Sequence, residues 1–433
     1  MRLGGRVSAS IEVLTDIKVR RTPVALALRD WGKAHRFAGS KDRAAIGNYV
    51  HDALRCQSSI AYRMGEDSPR ALIFGSAVFM GGVKPAALAE SFEGDKHAPS
   101  PITDAEMQHL DGCVPLASAP PWVQADVPEW IWPAFETNFE DEAITEGKAL
   151  TTRPPLDVRV NTIKSSVEDA AAALKELGGS PAESSPIGIR FPPSEGDGRL
   201  PNVQIEKIFQ TGGIEIQDEG SQIVSLLVNA QAGEQILDYC AGGGGKALAL
   251  AADMDNTGAV HAFDIDKRRL SPLYQRAMRA GADIINVVEP PSNNLQPLLG
   301  KMDKVLIDAP CSGVGTWRRK PDAKWRLSED SLMKRYKEQR VVLAGAKNFV
   351  RPGGLLFYVT CSMLAEENEG QVYPFLEANP EFTLLSAGEV YEERIGVNSP
   401  KPWSADGCSL TLTPASTNTD GFYFAVIEKK KDD

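Results

Sequence analysis

The 433-residue chain has no apolar run long enough to cross a bilayer. Its basic N-terminus, Met1-Arg-Leu-Gly-Gly-Arg-Val-Ser8, lacks the apolar core of a signal peptide. Six cysteines stand far apart, with no Cys-x-x-Cys pair and no disulfide-framework spacing. Reduced thiols, a cytoplasmic location and no bound metal are therefore expected. Internal repeats and low-complexity tracts are absent as well. Positive charge is short: 47 Lys and Arg against 58 Asp and Glu leave a formal net charge of −11. A generic nucleic-acid binder carries a basic footprint, so the surface as a whole is not one. What remains is a globular composition, 42% hydrophobic and 24% charged, at a length that predicts two or three domains.

Residues 1–115 read as mostly helical. Ala9–Ala27 is amphipathic, and Ser40–Arg55 opens on an N-cap-like serine with Ala45, Tyr49, Val50 and Leu54 at helical spacing. A proline-rich connector (Pro115, Pro120, Pro121, Pro128, Pro133) leads to an acidic helix near Phe135–Leu150. Residues 116–205 then give a linker and a small α+β module, with a strand in Arg153–Asn161, a helix over Ser166–Leu177 and further structure at Phe209–Ile216. From about Gln217 strands and helices alternate. Strands are predicted at Gln235–Tyr239, Ala259–Asp264, Ile284–Val288, Lys304–Ile307, Gly354–Val359 and Phe422–Glu428. The helices between them are Lys246–Met254, Lys267–Ala280 and Asp330–Phe349. Such alternation over 206–433 implies a doubly wound, Rossmann-like α/β sheet.

Within it, Gln235-Ile-Leu-Asp-Tyr-Cys-Ala-Gly-Gly-Gly-Gly-Lys246 reads as strand, glycine loop and helix start. Glycines let a backbone approach a ligand, and free N–H groups at a helix start attract one. Asp264 closes the next strand, where a carboxylate grips ribose hydroxyls. A nucleoside-triphosphate loop is excluded, because Cys240 stands at its first glycine and Ala247 follows the lysine. A dinucleotide loop is matched only formally, by Gly242-x-Gly244-x-x-Ala247. S-adenosylmethionine fits best, since a strand ending Leu237-Asp238 before a glycine loop is typical of methyltransferases that use it.

Two cysteines carry the chemistry. Cys311 lies in Asp308-Ala-Pro-Cys-Ser-Gly-Val-Gly315 and Cys361 in Phe357-Tyr-Val-Thr-Cys-Ser362, each after a β-branched, apolar strand. Amino-methyltransferases carry an aromatic residue where Asp308-Ala-Pro-Cys311 has a thiol, which points to methylation at carbon. Pyrimidine C5 is too weak a nucleophile unaided, and a thiolate adding to C6 activates it. Cys240 ends a strand against the glycine loop and reads as structural or cofactor-lining. Cys56, Cys113 and Cys408 read as packed or surface thiols.

Taken with Phe263-Asp-Ile-Asp266, Arg318-Arg-Lys-Pro-Asp-Ala-Lys-Trp325 and Thr360-Cys-Ser-x-x-x-Glu-Glu-Asn368, these motifs resemble the RsmB/Nop2/Sun family of RNA cytosine-C5 methyltransferases, in its bacterial RsmB-like branch. The resemblance spans about 120–430. It implies a class I S-adenosylmethionine-dependent methyltransferase domain, preceded by a small α+β module and an N-terminal NusB-like RNA-binding domain carried by Ser40-Lys-Asp-Arg-Ala-Ala and Asp52-Ala-Leu-Arg55. It further implies Cys361 as nucleophile, Cys311 as the thiol assisting product release, Asp308 beside base and cofactor, and Lys246 closing the loop. Cofactor contacts are implied for Cys240, Ala241, Gly242, Gly243, Gly244, Gly245, Lys246, Asp264 and Asp308, with Glu289 toward the adenine. Gly243 and Ala247 depart from the family's usual Pro/Ala and Thr.

Trp317–Arg326 holds five cations against one acid and two interleaved tryptophans. Directly after the Cys311 turn, Arg318, Arg319, Lys320, Lys324, Trp325 and Arg326 read as an RNA grip through phosphates and stacked bases. The expected partner is RNA, ribosomal or transfer, and the chain is expected to be monomeric. The rival expectation is a non-catalytic RNA-binding or ribosome-assembly protein that keeps the fold.

Overall fold

The structure is a computed structural model that describes all residues except 113, 195, 197, 432 and 433; the expectation for Cys113 lies outside the described residues. The chain forms two compact units, one of Met1–Pro154 with Pro193–Leu200 and Thr316–Leu327, the other of Pro155–Pro192, Pro201–Gly315 and Ser328–Asp433.

The first unit is helical. The predicted Ala9–Ala27 helix is two helices, Leu3–Arg20 and Val24–Ala34. Arg21 adopts a left-handed conformation (φ 52°) and Pro23 starts the second helix, so a continuous helix is broken there. Ser40–Arg55 is helical as expected, but Gly39 caps it and Ser40 is its first helical residue. Val7, Leu14, Ile46, Val50, Leu72 and Phe74 form the unit's core.

The second unit contains both sheets. β1 (Leu156–Val160), β2 (Ser180–Pro181), β3 (Gly188–Phe191) and β4 (Ile214–Ile216) make an antiparallel sheet ordered β2-β3-β1-β4. Helix Val167–Leu174 accompanies it, capped by the Ser166 hydroxyl, which accepts from the Asp169 amide. The larger sheet holds β5 (Gln235–Asp238), β6 (Ala259–Phe263), β7 (Ile285–Val288), β8 (Met302–Asp308), β9 (Val350–Thr360), β10 (Phe382–Leu385), β11 (Leu410–Leu412) and β12 (Phe422–Lys429). Its order is β10-β12-β9-β8-β5-β6-β7, with β11 beside β12. β5 to β9 are mutually parallel, and β12 runs antiparallel to β9.

Parallel strands are buried on both faces, which explains their continuous apolar runs. Ile236, Leu306 and Val359 enter one core, while Leu237, Val305 and Ile307 enter the other. Strand order reverses at β5, between β6 and β8, and ligands bind beyond the carboxyl ends at such a switch point.

Candidate active site

The glycine loop leaves β5 at that switch point. Tyr239 N–H donates to the Leu306 carbonyl (2.9 Å) and Ala241 N–H to that of Phe263 (2.8 Å), tying the loop to both neighbouring strands. Gly242 and Gly244 adopt positive φ (51° and 79°). A side chain at Gly244 would place its Cβ 2.1 Å from Leu273 Cδ1, so only glycine fits. Helix Gly245–Asp253 starts here. Arg276 donates to the Gly243 carbonyl (2.6 Å).

Asp264 is buried, its carboxylate accepting from Gly242 N–H (3.1 Å) and Asp266 N–H (2.9 Å), with Arg269 Nη1 at 3.0 Å. It lines a cavity of about 630 Å³ with Tyr239, Cys240, Phe263 and Ile265. Burial pushes the Cys240 thiol well up, so it stays neutral. Glu289 is not among the residues lining this cavity. Its carboxylate accepts from Lys267 Nζ (2.6 Å) and the Tyr274 hydroxyl (3.0 Å).

Beside the loop, Lys246 Nζ reaches Asp308 Oδ2 at 2.6 Å and lies over the Phe422 ring. Burial pulls the Lys246 pKa down, but Asp308 more than offsets it, and the net direction is up. Asp238 is buried, with the Ala247 backbone N–H turned toward its carboxylate. Burial, reinforced by Asp308, raises its pKa to about 7.

β8 and β9 are neighbours, with Asp308 opposite Val359, so their terminal loops emerge side by side. That places Cys311 Sγ 3.3 Å from Cys361 Sγ. The neighbouring thiol and burial push the Cys311 pKa well up. Both loops converge on Glu367, which is fully buried. Its carboxylate accepts from Ser312 N–H (2.8 Å), the Ser312 hydroxyl and Gln339 Nε2 (3.0 Å), and Gln339 also donates to the Pro310 carbonyl (3.0 Å). Asn368 accepts from the Thr360 hydroxyl (2.6 Å) and donates to the Ser362 carbonyl (3.2 Å). The Glu-Glu-Asn run was the sequence signal for this frame, but its 55-residue reach to Ser312 is not written in any spacing.

The basic run is divided between buried and exposed side chains. Residues 316–327 belong to the helical unit, where Arg318 and Lys324 are each 1% exposed. Lys324 Nζ donates to the carbonyls of Arg55 (2.8 Å) and Asp126 (2.6 Å), and burial lowers its pKa to about 8. Trp325 Nε1 donates to the Leu54 carbonyl (2.6 Å), and Trp317 stacks on Phe135. Arg318 and Lys324 are thus packed inside that unit, away from solvent. Lys320 and Arg326 are exposed, Arg326 being paired with Asp322 (2.7 Å), and Arg319 is half-buried.

Strand order, glycine loop and the acid ending β6 define a class I methyltransferase domain. Residues 225–428 match the family model for the 16S rRNA methyltransferase RsmB/F, and residues 127–192 match the ferredoxin-like domain of RsmF/B-like methyltransferases. The chain belongs to this family of S-adenosylmethionine-dependent rRNA methyltransferases. Ribosomal RNA small subunit methyltransferase B of Sodalis glossinidius is 30% identical over 80% of this chain and 77% of its own length. The probable methyltransferase B of Bacillus subtilis is 31% identical over 70% and 66%. A crystal structure of a methyltransferase homolog protein from Pyrococcus horikoshii is 26% identical at a TM-score of 0.59, covering 71% of this chain and 97% of that one. No helix among the described residues is long and apolar enough to cross a membrane.

Proposed function

We propose that the chain methylates C5 of a cytosine in ribosomal RNA through a covalent bond between Cys361 and C6. The observation that carries this reading is the pair of thiols 3.3 Å apart at adjacent parallel strand ends, beside the Lys246–Asp308 pair.

S-adenosylmethionine fits the neighbouring residues. The buried Asp238 carboxylate suits a cation, the glycine loop offers backbone N–H groups, and Asp264 stands where ribose hydroxyls are gripped. When bound, it supplies an electrophilic methyl group. Cys240, Ala241, Gly242, Gly243, Gly244 and Gly245 would form its cradle.

Cys361 attacks C6 as a thiolate, and the C5–C6 π electrons become available at C5 for the methyl group. Loss of the C5 proton to a base then returns electrons to the ring and expels the Cys361 sulfur. Cys311, 3.3 Å from Cys361, is placed to assist release of that sulfur. Asp308, oriented by Lys246, faces the base, and Glu367 fixes the separation of the two loops. A cytosine within a helix must be flipped out to reach Cys361.

The test is methyl transfer from S-adenosylmethionine to unmodified 16S rRNA, mapped by bisulfite sequencing. A single protected cytosine supports the reading. Saturable RNA binding without methyl transfer would favour the non-catalytic rival.

A further inference from the structure

The helical unit holds a cavity of about 490 Å³ that none of the chemistry above uses. Its floor is Gly5, Ser8 and Ala9, which share one face of the first helix. One wall is aromatic. The Trp31 and His35 rings stack with centroids 4.3 Å apart and planes 17° apart, and Phe37 meets His35 edge-on at 5.7 Å. Phe37 is 73% exposed, an apolar ring standing in water at the cavity. Arg2 and Lys96 bring fixed positive charge to the lining, and Glu12, which accepts from the Trp31 indole (2.9 Å), brings an acceptor.

We propose that this cavity takes one unstacked nucleobase of the RNA substrate, a reading that rests on the RNA methyltransferase function above. The volume suits a nucleotide-sized ligand. Aromatic faces stack on any base. The Glu12 carboxylate can accept from an exocyclic amine, and Arg2 and Lys96 can meet the attached phosphate. A run of phosphates alone is a poor match, because Glu12 and Asp95 line the same space. A cationic peptide would find the rings but also the like charge of Arg2 and Lys96. The base held here lies in the unit that does not contain the thiols, so it acts as a second point at which the RNA is read.

The test uses the full chain and a short single-stranded RNA carrying one 2-aminopurine, whose fluorescence falls on stacking. Wild type and Cys361→Ala quench it saturably. Phe37→Ala, whose exposure leaves folding intact, weakens binding about tenfold and abolishes quenching. Lys96→Glu weakens binding and lowers its salt dependence by about one phosphate contact. Phe37→Ala quenching like wild type, in a protein that still methylates rRNA, overturns the cavity and leaves the enzyme reading standing. A wild type that neither binds the RNA nor methylates overturns both. Displacement by a lysine-rich peptide but not by AMP also overturns the proposal.

Discussion

Asp238 offers a quantitative handle on the cofactor site. Its pKa rises from the ordinary 3.8 to about 7 through burial and the nearby Asp308. A carboxyl so raised weakens the fold as pH climbs, because the unfolded chain releases its proton first. The cost is absent below pH 3.8, grows between 3.8 and about 7, and is constant above. Three pK units at 1.36 kcal/mol each make that plateau about 4 kcal/mol, of which about 1.5 kcal/mol is already present at pH 5. Asp238→Asn removes the titration. Urea unfolding of the variant and the wild type should therefore diverge by about 2–3 kcal/mol between pH 5 and 8, in the variant's favour. A cation seated on Asp238 would offset the same penalty. S-adenosylmethionine affinity of the wild type should accordingly rise about tenfold from pH 5.5 to 7, while that of Asp238→Asn stays weak and flat. Parallel stability profiles for the two proteins would refute the claim that burial holds the Asp238 pKa up.

Gly244→Ala should cost about 2–4 kcal/mol, from the left-handed backbone and the approach to Leu273, and should abolish S-adenosylmethionine binding by calorimetry. Glu367→Ala removes the acceptor that Ser312 and Gln339 share. Methylation should fall at least about 100-fold with little change in cofactor affinity, since the lost function is the spacing of the two thiols. Lys324→Ala should lower stability by about 2–4 kcal/mol in urea unfolding, yet leave the salt slope of RNA binding unchanged.

Local signals were the legible part of the sequence. Apolar runs such as Lys304-Val-Leu-Ile-Asp308 mark strands that must be buried on both faces, and a glycine run between strand and helix marks the loop whatever its exact residues. The two thiols follow from this, since adjacent parallel strands deliver their ends together. Long-range pairing was not legible. A cation run with two tryptophans reads as an RNA grip, and only the fold shows backbone carbonyls of Leu54, Arg55 and Asp126 meeting Trp325 and Lys324. Glu289 stands at the expected strand end, but Lys267 and Tyr274 hold it from a helix that spacing alone cannot orient. Asp238 was visible as a letter, while its burial is a property of packing.

The central claim is that Cys361 bonds to the base and Cys311 releases it. The direct measurement is electrophoresis under denaturing conditions after incubation with S-adenosylmethionine and unmodified 16S rRNA. Cys311→Ala should accumulate a denaturant-stable protein–RNA species, and the Cys311→Ala/Cys361→Ala double variant should show none. An adduct that persists without Cys361, or methylation that survives Cys361→Ala, would contradict the account.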